Sequence, residues 1–257
     1  MEAFESSWTG GVGALVDRVL PPVCDRPESL LQLPSIILSE SDCFRASLSL
    51  ALGLGIVFFA GLIKLPQIAT IVSNKSVAGL SGTTFLIETF GYTYNLAAHY
   101  RQNYPISTYG DFSVLILENY VILYLFYSYT DRKEVGFAVI AAFFASLVLL
   151  CSPIFPMPLL ELMLLGNVAV VVLGRTPQAY SNYVNGSTGA LSIITCWGIF
   201  LGACARIFTT IQDVNSFNIL AGYLSSAILN GIIAFQVAYY RYVKPKVSPE
   251  DKVKKST

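Results

Sequence analysis

A proline-glutamine pair closes an apolar run twice in this chain, in Lys64-Leu65-Pro66-Gln67 and again, 111 positions later, in Arg175-Thr176-Pro177-Gln178. At the same offset Asn74, Ser76, Leu80 and Ser81 fall on Asn185, Ser187, Leu191 and Ser192. Six identities in 18 ungapped positions mark a duplicated structural unit, because self-similarity at one fixed offset is the signature of repeat architecture.

The medium in which that unit folds follows from composition. Hydrophobic residues make up 54% of the chain and charged residues 12%, about half the roughly 25% usual for soluble proteins, so a water-facing surface cannot be covered. The net charge is zero, which leaves no electrostatic footprint for nucleic acid. No basic segment opens the N-terminus ahead of an apolar core, so no cleavable signal peptide is expected.

About 20 apolar residues cross a bilayer as a helix, and on that rule seven spans are expected, at roughly 46–73, 80–100, 110–129, 135–151, 158–184, 189–212 and 217–240. The expected fold is an all-α membrane protein: repeats at 46–129 and 158–240, a linker helix within 130–157, and flanking segments 1–45 and 241–257 outside the bilayer. Three spans plus a linker are an even number, so both repeats enter from the same side and are parallel, related by an axis along the membrane normal. Arg18, Arg26, Arg45 and Arg101 lie on one side; Lys75, Arg132, Lys133, Arg241, Lys244, Lys246, Lys252, Lys254 and Lys255 lie on the other. The positive-inside rule then sets the N-terminus in the lumen and the C-terminus in the cytosol. Asn74-Lys75-Ser76 and Asn185-Gly186-Ser187 fit the glycosylation pattern but would face the cytosol and stay bare.

A proline within a helix frees the carbonyl four residues back. Pro66 and Pro177 are therefore candidate paired hinges, with Gln67 and Gln178 expected to satisfy the freed groups. Asn119 and Asn230 share the 111-residue offset and lie about 15 Å from their cytosolic helix ends, the depth at which repeat-built transporters hold substrate. Lys64 and Glu88 match in depth at about 12 to 14 Å and are expected to pair. Arg175 takes the place of Lys64 in the second repeat, but the counterpart of Glu88 there is Ile199. Without a carboxylate, its guanidinium is a candidate for an anionic group such as phosphate. Arg206 is assigned a structural role, with Glu118 or Glu161 as conceivable partners, and His99 an interfacial one. Glu88 and Glu118 are two carboxylates of the kind an acid-base pair needs, but no nucleophile, metal-ligand spacing or glycine-rich loop accompanies them, so no catalytic residue, metal or cofactor is assigned and the chain is read as non-enzymatic.

The strings KLPQIATIVSNKSVAGLS and RTPQAYSNYVNGSTGALS, with the three-one-three layout, resemble the PQ-loop superfamily, which includes the SWEET sugar transporters and cystinosin. LGLGIV, NYVNGSTGALSIIT, ARIFTTIQ and SSAILNG are similar, more narrowly, to the family required for mannose-P-dolichol utilization, over about residues 43–243. That resemblance implies an endoplasmic-reticulum membrane protein serving dolichol-phosphate-mannose and dolichol-phosphate-glucose in N-glycan precursor assembly, GPI anchors and mannosylation, with membrane lipids and glycosyltransferases as partners. Lys64, Arg175, Gln67 and Gln178 would meet the head group, and Asn119 and Asn230 the sugar, between the two bundles. Lys254 and Lys255 in the terminal KKST resemble a dilysine retrieval signal. In an oxidising lumen Cys24 and Cys43 are free to pair, though two cysteines do not require a bridge. The alternatives are a small-solute carrier for a sugar or amino acid, and a scaffold for glycosyltransferases.

Overall fold

A computed structural model describes residues 20–25, 32–189, 191–214 and 216–243. The retrieval pair Lys254 and Lys255 lies outside the described residues. A short helix α1 (Leu33–Ser39) leads into α2 (Ser41–Ile63) and α3 (Leu65–Asn74), followed by α4 (Gly82–Arg101), a 3-10 turn (Ile106–Thr108), α5 (Gly110–Tyr129), α6 (Lys133–Cys151), α7 (Met157–Asn185), α8 (Ile193–Asp213) and α9 (Phe217–Tyr242).

Among the described residues six segments are long and apolar enough to cross a membrane: the α2–α3 unit, α5, α6, α7, α8 and α9. The seventh expected span, α4, has the length, 20 residues, but not the hydropathy. Its polar residues are turned inward: Thr89, Thr93, Asn95 and His99 are all buried. The Thr89 and Thr93 hydroxyls donate back to the carbonyls of Phe85 and Thr89 at 2.6 Å, which satisfies them within the helix. Around the bundle large apolar side chains stay exposed, Phe58, Leu173 and Ile194 among them, as a lipid-facing surface requires.

Packing order repeats with the sequence. In the first repeat α5 lies between α2 and α4; in the second, α9 lies between α7 and α8. The first helix of each repeat packs on the second helix of the other, α2 on α8 and α4 on α7, while the linker α6 packs on α4 and α5. The six repeat helices thus close a ring with α6 outside it.

The duplicated residues build the same turn twice. Helix α3 ends at Asn74 with Lys75 in the left-handed region (φ 48°), and α7 ends at Asn185 with Gly186 there (φ 56°). The Ser76 and Ser187 hydroxyls accept from the amides of Ala78 and Gly189 at 3.2 Å. Ser81 and Ser192 then cap the next helices, accepting from the amides of Thr84 and Thr195 at 3.4 Å. Side-chain oxygens at these positions take up amides that a helix start leaves unpaired.

The prolines behave unequally. The first span breaks at Lys64 (φ −96°, ψ −10°), so Pro66 falls in the opening turn of α3, where the missing N–H costs nothing. Helix α7 runs unbroken through Pro177. At the other end of the bundle a disulfide joins Cys24 to Cys43 across a Cα–Cα distance of 4.8 Å, in a small core with Leu20, Leu33, Ile36 and Ile37. It ties the N-terminal segment to the start of α2.

Candidate functional site

Lys64, at the break between α2 and α3, is only 7% exposed in a cage made by α4 and α5. Its ammonium donates to Glu88 and to Asn119 Oδ1 at 2.7 Å, and lies 5.6 Å from the ring centroids of both Phe85 and Tyr92. The Asn119 amide donates in turn to Thr89 Oγ1 at 3.1 Å. Three of the expected site residues, Lys64, Glu88 and Asn119, therefore meet. The charge is neutralised by the carboxylate and ring faces, so an incoming anion would have to displace Glu88.

The second repeat puts different side chains at the equivalent positions. Ile199 replaces Glu88, Cys196 replaces Phe85, Ala203 replaces Tyr92 and Phe200 replaces Thr89. Arg175 makes no ion pair among the described residues; it borders a cavity of about 230 Å³ with Gln178, Ser192, Thr195, Cys196 and Asn230. Asn230, without a hydroxyl across from it, gives its amide N–H groups to Ser226 in its own helix, at 2.8 Å to the carbonyl and 3.0 Å to Oγ. The cavity unites the Arg175 guanidinium, the second N–H of the Gln178 amide and two hydroxyls, a donor set suited to a phosphate or sugar oxygen, with the Asn230 N–H groups already taken up by Ser226.

Several expectations need correction. Gln178 does not turn to the carbonyl freed by Pro177; its amide donates to Asn182 Oδ1 at 3.0 Å, Asn182 to Gln236 Oε1 at 3.0 Å, and Gln236 to the Ala179 carbonyl at 2.9 Å. That relay fastens α7 to α9. Gln67 lines a separate cavity of about 460 Å³ with Pro66, Thr70, Asn74 and Ser76. The two cavities beside the Pro-Gln pairs are each lined by residues of one repeat rather than shared between the bundles. Asn119 and Asn230, equivalent in sequence, do not share one site.

Bonds between the two repeats hold the opposite end together as a seal, in which Arg206 has the structural role expected but with partners that sequence reasoning missed. Arg206 of α8 pairs with Asp111 of α5 at 2.6 Å and donates to the Thr108 carbonyl at 2.8 Å; neither Glu118 nor Glu161 is its partner. Ser49 of α2 donates to Asp213 of α8 at 2.5 Å. His99 is buried, not interfacial: 1% exposed, bonded through Nδ1 to the Asn95 carbonyl at 2.7 Å, with the rings of Tyr104, Tyr109 and Phe112 within 6 Å. In the connection between α4 and α5, Ser107 and Thr108 are buried. Gly53 makes room for them: a Cβ there would stand 2.5 Å from the Ser107 carbonyl oxygen. A glycine facing a polar loop across a helix was the available signal.

Two packed three-helix units, each with a cavity beside its Pro-Gln pair and bonded to one another at the other end, make up a multi-pass membrane protein with two PQ-loop repeats. The PQ loop repeat family model matches residues 48–108 and 159–219, bracketing the two repeated segments. Solute carrier family 66 member 3 from Homo sapiens is 25% identical over 180 residues, covering 70% of this chain and 87% of that protein. No solved structure matches the chain.

Proposed function

We propose that the chain is a non-enzymatic seven-span membrane protein of the endoplasmic reticulum that handles dolichol-phosphate-mannose and dolichol-phosphate-glucose, with the phosphosugar head in the Arg175 cavity and the prenyl tail left in lipid. The observation that carries this reading is the charge asymmetry of the repeats. Lys64 is neutralised by Glu88, whereas Arg175 at the equivalent place has Ile199 opposite it and borders an opening with Gln178, Ser192, Thr195 and Asn230. A guanidinium with no carboxylate opposite it is left able to receive an anionic group, whose oxygens its planar fork matches. The sequence similarity to the mannose-P-dolichol utilization defect 1 protein supplies the identity of the anion. Helix α4 counts as the seventh span in this reading, its polar face covered by its neighbours. The Cys24–Cys43 disulfide supports a luminal N-terminus, since such bonds persist in oxidising compartments, and Lys254 and Lys255 would then sit in the cytosol as a retrieval signal. Glycosyltransferases that consume the donor are the protein partners this reading implies.

The test is reconstitution in liposomes with labelled dolichol-phosphate-mannose, following binding and transbilayer movement together. Arg175→Ala should lose binding at least tenfold while Lys64→Ala loses less; equal binding by wild type and Arg175→Ala would refute the site. A second reading, a small-solute carrier, is favoured by the name of the human relative. It predicts uptake of free sugar or amino acid into the same liposomes, which the first reading does not.

A further inference from the structure

One carboxyl in the first repeat has no role in the account so far. Glu118 of α5 is 7% exposed, and neither of its oxygens has a hydrogen-bond partner among the described residues. An ionised carboxylate held so would lack both solvent and donors, a state that costs several kcal/mol and is usually relieved by taking up a proton. The group nearest in function is Lys64, whose ammonium already holds the amide of the next residue along, Asn119, at 2.7 Å and lies within electrostatic reach of Glu118. The remaining ionisable neighbours are accounted for. From α4, Glu88 is bonded to Lys64 and Tyr92 lies under its ammonium. From α5 itself, Asp111, two turns from Glu118 on the same face, is ion-paired with Arg206 of α8. One ammonium therefore serves two carboxyls.

We propose that Glu118 is a proton-binding site: a neutral carboxylic acid while Lys64 is engaged by Glu88 and Asn119, and a carboxylate when the Lys64 side chain turns to it. The exchange balances: as the Lys64 ammonium turns from Glu88 to Glu118, the Glu118 carboxyl gives its proton to solvent, and it takes one back when the ammonium returns. Glu88, whose side chain is 36% exposed against 8% for that of Lys64, is then left to water, which solvates it in place of the ammonium. Lys64 stands at the helix break before Pro66, where a shift of α3 against α2 would carry the ammonium from one carboxyl towards the other. Movement at the Pro-Gln segment is thereby linked to proton exchange. This inference concerns the first repeat and stands whether or not the Arg175 cavity holds a lipid-linked sugar.

The test is infrared difference spectroscopy on the full chain in lipid nanodiscs at neutral pH, reading the C=O stretch of protonated carboxyls. Wild type should show a protonated carboxyl that disappears in Glu118→Gln. Glu88→Gln should also abolish it, because the released Lys64 ammonium then draws the proton off Glu118. A merely structural role for Glu118 would leave the Glu88→Gln spectrum unchanged. If Glu118→Gln does not fold, the comparison of wild type with Glu88→Gln decides. A wild-type spectrum without this band, or a band that survives in Glu88→Gln, overturns the proposal.

Discussion

Removing the guanidinium of Arg206 should be among the most damaging single changes in the molecule, and its size can be worked from the seal. In Arg206→Met, Asp111, 7% exposed, loses its cation, and the buried Thr108 carbonyl loses a donor at 2.8 Å. Breaking a buried pair by removing one partner costs about 3–5 kcal/mol, chiefly because the other charge is stranded. A change of about 4 kcal/mol lowers the folded-to-unfolded ratio close to a thousandfold. Replacing both partners removes the stranded charge, so Asp111→Asn combined with Arg206→Met should recover about 2 kcal/mol or more of that loss. Equilibrium unfolding in mixed micelles, titrated with a denaturing detergent, measures all the variants on one scale. The control is Arg175→Met: its guanidinium is exposed and makes no ion pair among the described residues, so its cost should stay within about 0.5 kcal/mol. If Arg206→Met costs no more than Arg175→Met, or if the double variant is as unstable as the sum of the singles, the seal is not held by this pair.

Three further outcomes follow from the packing. Gly53→Ala should cost about 1–3 kcal/mol by the same titration, since its Cβ would meet the backbone oxygen of Ser107 at 2.5 Å, whereas Gly55→Ala, with open space at its Cβ, should not; equal effects would remove the close approach. Ser81→Ala and Ser192→Ala should each cost about 0.5–1 kcal/mol and match one another, because the two hydroxyls make the same 3.4 Å cap; a neutral result at either site would break the equivalence of the turns. Of five cysteines, Cys151, Cys196 and Cys204 should react with a thiol reagent in denatured, unreduced protein, and all five after reduction, with gel mobility changing accordingly; five reactive thiols before reduction would disprove the Cys24–Cys43 bond.

What was legible in the sequence was whatever repeats or runs. Apolar stretches of spanning length mark the helices, and the identities at Asn74, Ser76, Leu80 and Ser81 mark a helix stop, a turn and a helix start that both copies need. The Lys64–Glu88 pair was readable from matched depth. The Arg206–Asp111 pair was not, because Asp111 opens its span beside a connection whose burial no sequence pattern shows: the 3-10 turn at Ile106–Thr108 is buried, with Ser107 against Gly53. The buried polar face of α4 was obscure for a related reason: hydropathy averages around a helix and cannot separate a lipid-facing side from one that faces its neighbours. The offset of 111 residues also misled once, by pairing Asn119 with Asn230 as though symmetry of position meant symmetry of contact. Thr89 gives Asn119 a hydroxyl to bond, and Phe200 gives Asn230 none. The shared residues thus hold the turn geometry of both repeats constant. The divergent ones, Glu88 against Ile199 and Tyr92 against Ala203, decide that one copy cages its cation and the other leaves its cation beside an open cavity. In a duplicated chain of this kind the chemistry has to be sought at the positions where the copies differ.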